Sequence, residues 1–216
     1  MNPGRIVSDA VTRPATRNHA AITDPKRFGE LLRAIDEYSG DPSTLLALRL
    51  APHVFLRDGA IRALKWSWVD AENAIIEIPA EAMKMKRPHL VPLSRQALDI
   101  VEEARQFSGR QEHVFPSAIS RGRSISSNTL NVAIRRLGFS KDEMTFHGFR
   151  TTASTLLREI EGYGKRWTDR SIEAQLSHTD ENKVRSAYDK SENLSERRVM
   201  MQAWSDQIDK SRSIQV

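Results

Sequence analysis

The stretch from residue 145 to residue 188 is the most informative part of the chain. It contains Thr145-Phe146-His147-Gly148-Phe149-Arg150, then Gln175-Leu176-Ser177-His178, and finally Ala187-Tyr188. Residues three apart share one face of a helix, so the imidazole of His147 and the guanidinium of Arg150 can point at the same site. With the second histidine and the tyrosine, this stretch supplies a nucleophile, a cation and two imidazoles.

Two cations upstream extend this set. Arg57 follows the apolar run Val54-Phe55-Leu56, and Lys84 lies in a basic turn between two predicted strands. Each residue alone has an ordinary structural explanation: Arg57 could neutralise the C-terminal dipole of a helix, for example, and Lys84 could belong to a solvated turn. The complete set is a stronger indication than any single residue, because together these side chains supply the groups needed to attack a phosphodiester without a metal.

Composition limits the class of protein. Among 216 residues, 33 lysines and arginines against 28 acidic residues give a net charge of +5, which favours an anionic partner such as nucleic acid. There is no cysteine, so disulfides, thiolate zinc sites and thiol nucleophiles are excluded. No apolar run approaches the roughly 20 residues that span a bilayer, and the N-terminus lacks the apolar core of a signal peptide. We expect a soluble intracellular protein.

Helix signals recur along most of the chain, as capping side chains, prolines in first turns and glycines at ends. The predicted helices run from Pro25 to Gly40 with Thr23 or Asp24 as cap, from Pro42 to Phe55 with Asp41 as cap, from Ser94 to about Phe107, from Ser126 or Ser127 to Gly138, and near residues 147–160, 169–177, 181–188 and 195–209. In the last helix, Val199, Met200, Ala203, Trp204 and Ile208 are predicted to form one apolar face.

Between the second and third of these helices the periodicity changes to that of strands. The runs Trp66–Val69, Ala74–Ile78 and His89–Leu93 predict three short strands in series, joined by a turn and by the long basic connection 79–88. We therefore predict a mainly α fold with a small three-stranded antiparallel β-sheet.

At this point the chain resembles the tyrosine recombinases, the phage integrase family. Four segments carry the resemblance: the first arginine box from Arg57 to Trp66, the lysine hairpin from Met83 to Ser94, the box His147-Gly148-Phe149-Arg150, and the box Leu176-Ser177-His178 with Tyr188. The similarity extends from about Ile22 to Trp204. The residues of these motifs are most similar to those of prophage and genomic-island integrases of the satellite-phage type.

The resemblance implies site-specific DNA recombination through a 3′-phosphotyrosyl intermediate, without metal or cofactor. It assigns catalysis to Arg57, Lys84, His147, Arg150, His178 and Tyr188. Tyr188 would attack phosphorus with His147 as base, Lys84 would protonate the departing 5′-hydroxyl, and the arginines with His178 would stabilise charge on the phosphate. The fold is then expected to be the tyrosine recombinase catalytic-domain fold.

Partners and organisation follow as further expectations. Backbone contacts to double-stranded attachment-site DNA are expected from Lys86, Arg87, Arg121, Arg123, Arg135 and Arg136. The resemblance implies a homotetramer on DNA and a monomer alone, with excisionase or DNA-bending accessory proteins, in the nucleoid region of a bacterial cytoplasm and not at a membrane. Residues 1–20 are expected to be a linker from a missing N-terminal DNA-binding region, 21–194 the catalytic domain and 195–216 a C-terminal helix and tail, which could cover its own core or dock on a neighbouring protomer.

Two positions of the first arginine box depart from the family pattern. Asp58 and Ala60 stand where the family usually has proline and glutamate, and that glutamate supports the box rather than reacting. Ala60 therefore favours an alternative, a catalytically impaired or inactive DNA-binding module of the same fold. A type IB topoisomerase and a basic RNA-binding or scaffold protein are further alternatives. The residues of the boxes and their order along the chain argue against both.

Overall fold

The computed structural model of the chain describes residues 19–83, 86–159, 161–162, 165–177 and 193–214, with 161–162 and 165–166 described by their backbone alone. Its first two helices begin by the same device. In α1 (Pro25–Asp36) the Asp24 carboxylate accepts from the Arg27 N–H, and in α2 (Pro42–Val54) Asp41 accepts from the Thr44 N–H. Both predicted caps are confirmed, and α2 is buried on most sides, as its composition indicated.

A three-stranded antiparallel sheet follows, in the order β1 (Val69–Asp70), β2 (Ile75–Ile78) and β3 (His89–Pro92). Ile76 lies opposite Val91, and both are buried. The prediction of a strand over Trp66–Val69 was wrong for its first part, because residues 66–68 form a 3₁₀ turn. The Trp66 indole donates to the Ser108 carbonyl at 2.8 Å, which draws this segment towards a helix end instead of the sheet.

For two helices in the middle of the chain, one predicted N-terminal cap residue is correct and the other is wrong. The helix α4 (Arg95–Ser108) begins at the predicted cap Ser94, which accepts from the Ala97 N–H. The helix α5 (Thr129–Arg136) begins after Asn128 instead of Ser126 or Ser127. The Ser126 hydroxyl pairs with the Thr129 hydroxyl at 2.8 Å and caps no backbone N–H.

The remaining elements differ from expectation mainly in length. A five-residue helix, α3 (Asp58–Arg62), had no sequence prediction. The helix α6 (Gly148–Leu156) ends earlier than predicted, and a short hairpin of β4 (Glu161–Gly162) and β5 (Lys165–Arg166) follows it. The helices α7 (Asp169–Gln175) and α8 (Leu194–Ser213) confirm two predictions, whereas the predicted helix 181–188 lies outside the described residues.

The core is closed by α8, which packs against α1, α2 and α4 of the same chain. Trp204 is buried between the rings of Phe28 and Phe55, with centroids 6.2 and 5.8 Å away. The predicted apolar face of this helix is confirmed for Met200, Trp204 and Ile208, but Val199 is exposed. Within the described part of the chain, no helix combines the length and apolar character needed to cross a bilayer.

Candidate active site

Arg57 stands at a sharp reversal of the chain. The helix α2 ends with Phe55 in the left-handed conformation, at φ 57° and ψ 23°, and the chain then turns into α3. The backbone carbonyl of Arg57 accepts from the N–H groups of Ala60 and Ile61, at 2.9 and 3.0 Å. Arg57 is thus the N-terminal cap residue of α3, and its position is set by that short helix, not by the dipole of α2.

Arg150 lies in the first turn of α6 and is only 4% exposed. Its Nη1 donates to the Phe55 carbonyl, and its Nη2 donates to the Leu176 carbonyl at 2.7 Å. Burial lowers the pKa of Arg150 to about 10, and the neighbouring charge of Arg57 acts in the same direction. The group still carries its charge at neutral pH, and two main-chain oxygens fix the plane of the guanidinium.

The two arginines meet in one pocket of about 330 Å³. Its other lining residues are Leu56, Gly59, Ala60, Ala82, Met83, His89 and Ser177. Among these described lining residues none is acidic, so the two cations face a site that suits an anion. Met83 and Ser177 immediately precede Lys84 and His178 in the sequence. A second pocket, of about 360 Å³ between α1 and α8, contains none of the predicted site residues in its lining.

His89 is a pocket residue that the sequence reading missed. It is 6% exposed, and burial lowers its pKa to about 3, with further lowering by Arg197, Arg150 and Arg57 and an opposing hydrogen bond to the Gln175 backbone. The imidazole is therefore neutral at physiological pH. The available signal was the alternation of β3, because His89 shares the inward face of that strand with Val91.

His147 lies at the beginning of α6, three residues before Arg150. Its half-buried ring lies against the ring of His19, with centroids 4.2 Å apart and the planes tilted by 36°. His147 is not among the lining residues of the pocket. The next residue is glycine for a steric reason: a Cβ at Gly148 would collide with the carbonyl oxygen of Ala20. The start of α6 is thus packed against residues 19–20, the last two residues of the predicted linker.

Three of the six predicted catalytic residues lie outside the described residues, namely Lys84, His178 and Tyr188. The structure brings Arg57 and Arg150 together and places His147 on the same helix as Arg150. Lys84 and His178 each have one described neighbour in the sequence, Met83 and Ser177, whereas both neighbours of Tyr188 lie outside the described residues.

The predicted DNA-contacting residues fall into two groups. Lys86, Arg121, Arg123 and Arg136 are exposed, and Arg87 is half-buried. Arg121 and Arg123 lie on a loop closed by the pairing of Pro116 with Ser124. Arg135 differs: its guanidinium donates to the carbonyls of Phe139 and Met144, and burial lowers its pKa. This internal use argues against a DNA contact by Arg135.

Comparison with known proteins agrees with this geometry. Residues 22–194 match the phage integrase family. The integrase of Enterobacteria phage P4 is 37% identical, over 98% of this chain and 50% of the relative. The chain spans about half the length of the curated relatives it matches.

Solved structures share the fold at lower identity. A λ integrase dimer bound to a COC′ core site superposes with a TM-score of 0.60 and 20% identity, covering 80% of this chain and 60% of that chain. A λ integrase tetramer bound to a Holliday junction has a TM-score of 0.56 and 19% identity, covering 78% and 49%. With its mainly helical fold, its three-stranded sheet and its paired arginines, the chain belongs to the phage integrase family of tyrosine recombinases.

Proposed function

We propose that this chain is the catalytic part of a site-specific DNA recombinase, which integrates or excises a mobile element by cleaving and rejoining DNA. The observation that carries the proposal is the meeting of Arg57 and Arg150 in one pocket whose described lining has no acidic residue. Holding two like charges together is unfavourable unless an anion lies between them. A DNA phosphodiester is such an anion, and its charge grows as the phosphorus becomes five-coordinate.

The two arginines stabilise that developing charge. A guanidinium stays protonated at any working pH and presents its N–H donors as a planar fork that matches two phosphate oxygens. The carbonyls of Phe55 and Leu176 hold Arg150 before the substrate arrives, so no reorganisation is needed during the reaction. His178 supplies a further hydrogen bond to a non-bridging oxygen in this proposal.

Tyr188 is the proposed nucleophile. Its phenolic oxygen bonds to phosphorus while the bond to the 5′ oxygen breaks, which leaves a 3′-phosphotyrosyl and a free 5′-hydroxyl. A phenol has a pKa of about 10, so it needs a base, and His147 is the candidate. Lys84 gives a proton to the departing oxygen. The phosphotyrosyl bond conserves the energy of the diester, so a second 5′-hydroxyl can reverse the step.

DNA would be held mainly through its backbone. Proposed contacts come from Lys86, Arg87, Arg121, Arg123 and Arg136, with Arg135 left out because it braces main-chain carbonyls. The dimer and tetramer described above for λ integrase support assembly on DNA as a homotetramer. A monomer in the absence of DNA is a further part of the proposal. Excisionase or DNA-bending proteins and a nucleoid location in a bacterial cytoplasm belong to the same proposal.

One observation favours a second candidate, an inactive DNA-binding module. Ala60 lies on the pocket wall where the family usually carries the glutamate that supports the first arginine. The backbone of Arg57 is nevertheless anchored by α3, and that short helix is stiffened by an ion pair between Asp58 and Arg62 at 2.8 Å. These contacts support an active site that manages without the glutamate.

A covalent trapping experiment separates the two candidates. The protein is incubated with attachment-site DNA that carries a nick just past the scissile phosphate, so that the departing end diffuses away and the adduct accumulates. We expect a covalent protein–DNA species that Tyr188→Phe abolishes and that Tyr38→Phe, the matched control on a remote tyrosine, retains. DNA binding without any adduct would support the inactive module, and an adduct that survives in Tyr188→Phe would refute Tyr188 as the nucleophile.

A further inference from the structure

A buried arginine on the C-terminal helix contacts two other elements near the pocket. Arg197 of α8 is 3% exposed. Its Nε and Nη2 donate to the Gln175 side-chain oxygen at 3.0 and 2.8 Å, and its Nη2 also donates to the Leu90 carbonyl. The amide nitrogen of Gln175 donates to the Val54 carbonyl at 3.2 Å. Arginine can only donate hydrogen bonds, so the Gln175 oxygen must face Arg197 and its NH₂ must face Val54.

The partners in this network belong to the segments that build the pocket. Val54 ends α2, three residues before Arg57, and Gln175 ends α7, next to Leu176. Leu90 follows His89 in β3, the strand that completes the hairpin of Lys84. Arg197 lies in the first turns of α8, nine residues after Tyr188. The buried pair Gln175 and Arg197 therefore connects the chain segments that lie next to Arg57, Lys84, His178 and Tyr188 in the sequence. The box from His147 to Arg150 is not one of these segments.

The network also acts on the two acceptors of Arg150. Phe55, whose carbonyl receives one N–H of Arg150, is the neighbour of Val54, and Leu176, whose carbonyl receives the other, is the neighbour of Gln175. Gln175 ties these two segments to each other, and Arg197 ties Gln175 to the sheet. A displacement of either segment would rotate the guanidinium plane of Arg150.

We propose that Gln175 and Arg197 are positioning residues that hold Arg150 in its reactive orientation, an inference that rests on the proposed function of the pocket. Neither side chain is among the described lining residues of the pocket, so we assign neither a direct contact with the phosphate. Their effect reaches the reaction through the main chain at residues 54–55 and 175–176. A misplacement of a catalytic group by about 1 Å can cost 10²-fold in rate, so a small loosening has a measurable result.

The first test replaces the planar guanidinium of Arg197 by another cation, so that the hydrogen-bond geometry changes and the positive charge stays. We expect Arg197→Lys to lower the single-turnover rate of adduct formation on nicked DNA by about 10- to 100-fold, with DNA affinity little changed. Arg198→Lys, the same substitution on the next residue of α8, is the matched control and should retain the wild-type rate. Gln175→Glu is a second variant for the case that Arg197→Lys does not fold: it keeps the acceptor for Arg197 but cannot donate to Val54.

A double-mutant cycle then separates positioning from general destabilisation. If Arg197 acts through Arg150, Arg197→Lys should cost less than about threefold in a background that already carries Arg150→Lys, because coupled residues are not additive. Equal losses in both backgrounds would overturn the inference, and so would wild-type rates for folded Arg197→Lys or Gln175→Glu. A wild-type protein that binds DNA and forms no adduct would instead be a failure of the proposed function itself.

Discussion

Arg150 has a structural role in the fold and, in the function proposed above, a chemical role as well. Its donors satisfy two main-chain carbonyls that come from segments distant in the sequence, at Phe55 and Leu176. Folding therefore buries a charge that we propose to act in catalysis. Burial lowers the pKa of Arg150 to about 10, and the nearby charge of Arg57 acts in the same direction. Such an arrangement is expected where an anionic substrate binds beside two arginines.

Replacement of Arg150 by lysine should show which effects need the guanidinium group and which need only a positive charge. An ammonium cannot reproduce the planar fork, so at least one of the two carbonyls loses its donor. We expect Arg150→Lys to lower the rate of adduct formation on the order of 10²–10³-fold. The free energy of unfolding should fall by about 1–3 kcal/mol, measured by urea denaturation.

Arg57→Lys provides the comparison for that experiment. The fold uses the backbone of Arg57 as the cap of α3, and a lysine keeps that backbone contact. Adduct formation should therefore fall as in Arg150→Lys, while the free energy of unfolding stays close to that of the wild type. Equal losses of stability in the two variants would contradict the structural role assigned to Arg150.

At the scale of elements, the close approach of α1 and α8 depends on a glycine. A Cβ at Gly29 of α1 would collide with the carbonyl oxygen of Ser211 in α8, whereas a Cβ at Gly59 of α3 would meet open space. Main-chain atoms of a packed helix cannot move aside as a flexible side chain does. The helix that closes the core can therefore lie this close only while residue 29 has no side chain.

Replacing each of the two glycines by alanine should change the free energy of unfolding in opposite directions. Gly29→Ala should lower the free energy of unfolding by about 1–3 kcal/mol, because overpacking pushes α8 away from α1. Gly59→Ala should raise it by about 0.5–1 kcal/mol, because alanine costs less conformational entropy in a helix. Chemical denaturation of both variants checks the pair. Stabilisation by Gly29→Ala would show that α8 does not pack on α1 in solution as described.

On the scale of the whole molecule, a buried histidine joins three helices. The Nδ1 of His53 in α2 lies 2.8 Å from the hydroxyl of Ser205 in α8, which donates to Ser94, the cap of α4. Because Ser205 donates its proton to Ser94, its oxygen accepts from His53, and the neutral ring carries its proton on Nδ1. Burial lowers the pKa of His53 to about 3, and Arg212 and Arg49 add to this.

This burial predicts a pH dependence of stability with a definite sign. Between pH 3 and pH 6.5 the unfolded chain binds a proton at His53 that the folded chain does not, so stability falls as pH drops below 6.5. The slope is about 1.4 kcal/mol per pH unit for each such histidine, and His89 adds a second one by the same reasoning. Urea unfolding across this range measures the total.

His53→Asn isolates the contribution of one ring. The asparagine NH₂ can still donate to Ser205 but does not titrate, so the slope below pH 6 should shrink by about 1.4 kcal/mol per pH unit. Unfolding at pH 7.5, where the wild-type ring is neutral in both states, provides the baseline. Parallel curves for the two proteins would mean that His53 titrates normally in the fold.

Local signals account for much of what could be predicted. The caps Asp24, Asp41 and Ser94 depend on a backbone N–H only three residues away, and the strand alternation of β2 and β3 depends on neighbours two apart. The family motifs predicted that Arg57 and Arg150 belong to one site, and both residues line the same pocket. The 3₁₀ turn at Trp66 shows the limit, because a contact with Ser108, 42 residues away, decided it. The misplaced cap of α5 has a local cause, since the Ser126 hydroxyl pairs with the hydroxyl of Thr129.

By itself the sequence determined the fold class and the family, since both rest on short patterns of adjacent or regularly spaced side chains, and the same patterns supplied the proposed reactive residues. Only the tertiary structure decided that His89 faces the pocket and that Gln175 and Arg197 lie beneath it. The physical reason is that a buried polar side chain takes its role from its partners. Those of Arg197 lie 22 and 107 residues away, at separations where spacing along the chain carries no information about contact.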